Sequence, residues 1–286
     1  MGAGGERMTE EKNNCSGAPD REEAKEGGGM NENKNARYVP IHICGNKDFA
    51  DQASKNGWRG NGTKDNPYII ENYEIDASGS AYGIWIENTD VWFVIRNCKI
   101  RNARGISTGM ASELFGKGIY LNNVQHGTLE NNDCSWNEFY GIYLNYSDNN
   151  IIKNNNCRHN KQGISLSSSN YNIISNNDCS HNTEYGIHLS SSNDANIVSN
   201  NCSHNEHGIF IDKSIRISIT NNNCSYNSNG IALCVSYDNY IKDNNSSYNS
   251  GYGIYIFDAS NNIIEDNTLY SNSCKNIHAI LPITEG

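Results

Sequence analysis

Two columns of side chains suited to chemistry return every 22 or 23 residues from residue 117 onward, each with one earlier member. The first holds Trp85, Tyr120, Tyr143, Ser165, His188, Phe210, Ala232 and Tyr255. Three residues before each stand Tyr82, Lys117, Tyr140, Gln162, Tyr185, His207, Asn229 and Tyr252. Rings with polar tips combine flat apolar area with hydrogen bonding, which suits a sugar chain or a protein partner. Tyr143, Tyr185, His188, Phe210, Asp212, Tyr252 and Tyr255 are the residues expected to contact such a ligand. Another column runs Trp136, His159, His181, His204, Tyr226, Tyr248 and Ser271. Imidazole suits Zn or Cu(II), so His159, His181 and His204 are weak metal candidates. Side chains stacked in parallel do not by themselves converge on an ion, and the expectation is no metal and no cofactor.

Carboxylates are sparse on the aromatic strip. Glu87 and Asp212 fall about five repeats apart, on the order of 24 Å at β-sheet spacing, whereas a glycosidase pair needs roughly 5 to 9.5 Å. A lyase or epimerase would instead draw on His188, Asp212 and Lys213 as base and charge-neutralising groups. No catalytic residue is assigned, and the balance leans away from an enzyme.

The elements that must position these columns follow from the repeat N-N-x-C-S-x-N-x-x-x-G-I-x-L-x-x-S-x-x-N-x-I. Its Gly-Ile pairs begin at Gly83-Ile84 and run from Gly118-Ile119 through Gly141, Gly163, Gly186, Gly208 and Gly230 to Gly253-Ile254. A fixed period of this length marks a solenoid, in which each unit buries its apolar side only by stacking on its neighbours. Alternation such as Ile164, Leu166 then Ile187, Leu189 has a period of two, so the units are strands. Eleven residues after each glycine comes a second apolar column: Val94, Leu129, Ile152, Ile174, Ile197, Ile219, Ile241 and Ile264. A third holds Cys134, Cys157, Cys179, Cys202, Cys224, Ser246 and Leu269, with Ile100 near its upper end. Three short strands per turn define an all-β fold, a right-handed parallel β-helix of about nine rungs and on the order of 40 Å long. Asn137, Asn160, Asn182, Asn205, Asn227, Asn249 and Asn272 line one corner, and Ser147, Ser169, Ser192, Ser214 and Ser236 another. Stacked polar groups satisfy one another in such corners, so these columns are read as structural.

The chain divides into a disordered acidic leader (1–36), an N-terminal cap and first coil (37–82), and the β-helix repeats (83–286). The leader has almost no apolar residues and no apolar stretch that would make it a secretory signal. A net charge of −10, with no recurring Lys/Arg stripe, argues against nucleic acid. No run is long enough to span a membrane. Five of the 10 cysteines lie in the inward column, where a thiol behaves as a small hydrophobe.

The segment Tyr38-Val39-Pro40-Ile41-His42-Ile43, followed by Asn56-Gly57-Trp58-Arg59-Gly60-Asn61-Gly62-Thr63 and Asp65-Asn66-Pro67-Tyr68-Ile69-Ile70-Glu71-Asn72-Tyr73, joins the N-x-I and G-I-x-L units. Together these resemble the NosD-like right-handed parallel β-helix proteins, whose repeats are also called carbohydrate-binding and sugar-hydrolase repeats, over about residues 38 to 280. The resemblance implies an extracellular or cell-surface protein of archaeal type. Its founding members are periplasmic and assist copper-site maturation. The fold hosts lyases, hydrolases, epimerases and non-enzymatic proteins. The expectation is a non-catalytic surface or carbohydrate-binding module, with a polysaccharide or surface glycan as partner. A polysaccharide-modifying enzyme on the same strip, and a scaffold or copper-maturation accessory, are the alternatives. Ala103 to Lys117 is an insertion between rungs, a lid or an inert loop.

Overall fold

The computed structural model describes residues 39–105 and 115–280. The expected leader and the middle of the 103–117 insertion lie outside the described residues. The rest is a parallel β-solenoid of about nine turns. One face is a ten-stranded sheet running from Ile41–Cys44 and Tyr82–Thr89 to Lys275–Ile280. The second is a nine-stranded sheet running from Tyr68–Glu71 to Ile263–Glu265. Every pairing is parallel and in register, so Ile142, Ile164, Ile187 and Ile209 stack as one column and Leu144, Leu166, Leu189 and Ile211 as the next.

The third face departs from the expected strands. Only Glu74–Asp76 and Lys99–Arg101 pair as strands there. Below them the ladder continues as single bridges, from Lys99 to Asp133, Asn156, Asp178, Asn201, Asn223, Asn245 and Thr268. Positive φ angles on both sides, as at Asn154 (57°) and His159 (57°), bend the chain before a strand can lengthen. The cysteines of this face keep the register, and Cys134, Cys157, Cys179, Cys202 and Cys224 are free thiols at 0% exposure.

One register reading is corrected. Ile95, not Val94, heads the second apolar column, because it pairs with Leu129 while Val94 faces Thr128. Thr89 aligns with Val124 and Phe93 with Gly127, so the first turn carries one extra residue between Thr89 and Phe93. A count of eleven from Gly83 therefore falls one residue short.

The corners are built from side chain to backbone. The Asn160 amide N–H donates to Asn182 Oδ1 at 2.9 Å, and the Asn182 N–H donates to Asn205 Oδ1 at 2.7 Å. The serine corner repeats the device, with Ser169 N–H donating to Ser192 Oγ at 3.0 Å. A further column, Asn132, Asn155, Asn177, Asn200, Asn222 and Asn244, does the same and adds amide-to-amide bonds of about 3.0 Å. This packing requires the glycines: a Cβ on Gly186 would lie 2.5 Å from the Gly208 carbonyl oxygen and 2.8 Å from Asn205 Nδ2.

At the N-terminal end the coil is plugged by a helix, Gly45–Asn56, which the repeat pattern did not foretell. Buried Phe49 stacks on Tyr68 (4.9 Å) and packs against Phe93 (5.3 Å), joining helix and coil in one core. Gly57 closes the helix in the left-handed region at φ 68°. Among the described residues no helix is long and apolar enough to cross a membrane.

Candidate functional site

The outward face of the ten-stranded sheet carries the aromatic strip. Parallel register places each ring directly above the one on the next rung, so the rings stack on each other. Tyr120 lies on Tyr143 with centroids 5.4 Å apart and planes 12° from parallel. Tyr185 lies on Phe210 at 5.3 Å, His188 on Phe210 at 5.4 Å, and Tyr252 on His278 at 4.9 Å. A ring within such a stack spends its faces on its neighbours and offers solvent mainly its edge. Faces become free only where the ladder breaks.

It breaks twice, at Ser165 and at Ala232, where the column residue is too small to stack. The strip is thereby cut into three clusters. Trp85, Tyr120, Tyr140 and Tyr143 form the first, Tyr185, His188, His207 and Phe210 the second, and Tyr252, Tyr255 and His278 the third. At Ser165 the gap is bridged by Gln162, whose Oε1 lies 3.4 Å from His188 Nδ1. At Ala232 a hollow of about 320 Å³ remains, lined by His207, Phe210, Asn229, Ala232, Cys234, Tyr252, Tyr255 and Phe257.

Of the residues expected to contact ligand, Phe210, Tyr252 and Tyr255 line this hollow. Tyr185 and His188 support its wall from behind Phe210. Tyr143 belongs to the first cluster, beyond Ser165. Asp212 stands one column over at the strand edge, 3.8 Å from Lys213 Nζ. His207, Asn229, Cys234 and Phe257 belong to the hollow but not to the expected set. The column of His207 and Asn229 was legible and that of Cys234 and Phe257 was not read, but the small residue at 232 was the signal that mattered.

Electrostatics keep the imidazoles neutral. Burial pushes His188 down to about 4 and also lowers His207. The Gln162 amide is oriented by its nitrogen, since Nε2 donates to Glu184 Oε2 at 3.3 Å. Its Oε1 therefore faces His188 Nδ1 at 3.4 Å and accepts a hydrogen bond from that nitrogen's N–H. Nε2 of His188 is left as the basic nitrogen. Across the second break, Asn229 Nδ2 donates to His207 Nδ1 at 3.4 Å, and Asn229 Oδ1 accepts the Tyr252 backbone N–H at 3.0 Å. Glu87, almost wholly buried, is held by His42 Nε2 at 2.9 Å.

The histidine column is a second stack. His159 lies 5.7 Å from His181 and 6° from parallel, and His181 lies 4.6 Å from His204, with Trp136 and Tyr226 continuing the ladder at either end. Each residue sits at a positive-φ corner near 60°. Among the described residues no three His, Cys, Asp or Glu side chains are placed to hold a metal ion.

A strand-stacked coil with an outward, ring-lined face defines the class: a parallel β-helix. The chain belongs to the right handed beta helix region family, matched over residues 82–233, and residues 194–279 match the family described as periplasmic copper-binding protein (NosD). No curated protein matches it. Among solved structures, the periplasmic alginate epimerase AlgG is 16% identical over 86% of this chain and 72% of its own, with a TM-score of 0.53. A full-length tailspike protein 2 from an Escherichia coli O157:H7 bacteriophage is 12% identical over 74% of this chain and 35% of its own, with a TM-score of 0.55. At these identities the likeness concerns the fold.

Proposed function

We propose that this chain binds a polysaccharide along the outward face of the ten-stranded sheet, with one sugar ring seated in the hollow over Ala232, and that it acts outside the cytoplasm. The observation that carries this reading is the break in the ring ladder. Phe210 and Tyr255 are two rungs apart, roughly 9.6 Å at sheet spacing. A flat ring between two walls needs roughly 7 to 8 Å, two carbon contacts of 3.5 to 4.0 Å, and the remainder suits the thicker, puckered ring of a sugar. The tyrosine hydroxyls, Asn229 and neutral His207 supply donors and acceptors at the rim. A volume of about 320 Å³ lies at the small end of ligand pockets, the size of one sugar unit and not of a folded partner. AlgG, named for its action on alginate, presents the same coil and favours a sugar-chain reading, as does the periplasmic description of the NosD family.

Cys234 provides a direct reporter, since it lines the hollow. In a Cys274→Ser background, alkylation of Cys234 should slow several-fold when a bound polysaccharide covers it. Equal rates with and without every polysaccharide in a broad panel would refute the reading.

One observation favours an enzyme as the second reading: His188 is a neutral base on the same face, its tautomer set by Gln162. Turnover with release of an unsaturated product, lost in His188→Ala while affinity persists, would establish it.

A further inference from the structure

The first aromatic cluster contains two buried donor groups that the fold leaves only partly satisfied. Lys117 begins its strand between Tyr82 and Tyr140 in the register and is 6% exposed. Its ammonium has three N–H donors. It donates to the Phe115 carbonyl at 2.9 Å and lies 5.0 Å over the Tyr120 ring. Trp85, 4% exposed, packs on the same Tyr120 ring at 5.5 Å, and its indole N–H has no acceptor among the described residues. A buried donor without an acceptor is destabilising, and more so when charged. The Trp85 indole N–H and the Lys117 N–H donors that Phe115 does not engage lie against one ring.

The acids of this face do not meet the need. Glu87 is taken by His42 at 2.9 Å, Glu184 by Lys161 at 3.0 Å, and Asp212 faces Lys213 at 3.8 Å. Among the described residues no carboxylate is paired with Lys117. Resting on the reading that the strip binds a polysaccharide, we propose that Lys117, with Trp85 beside it, is a subsite for a sugar carboxylate, so that the ligand is an acidic, uronate-containing polysaccharide. Lys117 and Ala232 are five rungs apart on this face, on the order of 24 Å. A single extended chain along the rod axis reaches both, with one uronate at the ammonium and another ring in the slot. Burial alone lowers the Lys117 amine to about 8, so it is mostly protonated at neutral pH and gains from an anion that replaces its lost hydration.

The test compares alginate and polygalacturonate, each against its own carboxyl-reduced, neutral counterpart, by titration calorimetry with the intact chain. The wild-type protein should bind at least one of the acidic polymers about ten-fold or more tightly than its reduced form, and added salt should shrink the difference. Lys117→Met keeps the aliphatic packing on Tyr120 and should bring the acidic polymer down to the level of the reduced one. Trp85→Phe should lose several-fold. Equal wild-type affinity for acidic and reduced polymers overturns the carboxylate subsite while leaving the ring slot standing. Absence of binding to all of them overturns both. The wild-type comparison decides the matter even if Lys117→Met fails to fold.

Discussion

Phe210 and Tyr255 stand in one column of the ten-stranded sheet, two rungs apart, with Ala232 alone between them. A ladder in which each ring covers the next is there interrupted by a methyl group, and a hollow of about 320 Å³ lies between the two rings.

The ladders that hold the coil are the first place to test the account. Asn182 accepts the Asn160 N–H through Oδ1 and donates through Nδ2 to the Cys179 carbonyl at 2.8 Å. Asn182→Leu strands both backbone groups inside the coil and should cost about 1–3 kcal/mol, read as a fall in the urea midpoint. An unchanged midpoint would contradict the ladder.

The thiol column gives an independent check of register. Cys134, Cys157, Cys179, Cys202 and Cys224 are buried, and burial raises Cys134, Cys179 and Cys224 above the ordinary thiol range. A thiol reagent should modify exposed Cys274 at once and these five only after denaturation. Rapid labelling of the five in native protein would sink the stacking.

Burial of His188 predicts acid sensitivity. Its pKa is lowered on folding from 6.5 to about 4, so between those values the unfolded chain binds the extra proton. The stabilisation is present above pH 6.5 and lost as pH falls toward 4, on the order of 2–3 kcal/mol after allowance for partial exposure. His188→Phe keeps the ring stack and should flatten the stability profile over that window. An equally steep profile in the variant would place the sensitivity elsewhere.

The repeat made the coil legible because each column obeys one rule: glycine where an asparagine approaches, Ile or Leu inward, Asn or Ser at a corner. What escaped the sequence was set by exceptions to the period. The residue added between Thr89 and Phe93 shifted Val94 for Ile95, and the plugging helix has no counterpart in the rungs. The partner of Glu87 lies 45 residues upstream at His42, outside the repeats. The candidate site was half legible. Columns identified which rings share a face, but whether a ring offers its face or its edge depends on the neighbour above it, so the informative residues were the small ones, Ser165 and Ala232.

Ala232→Phe tests the central claim most directly. A phenyl ring at this position would join Phe210 to Tyr255 in an unbroken stack, filling the slot without disturbing the core. The account predicts a melting temperature equal to or above wild type, together with loss of polysaccharide binding measured by titration calorimetry and loss of ligand protection at Cys234. Binding that persists at wild-type strength in a folded Ala232→Phe protein would contradict it.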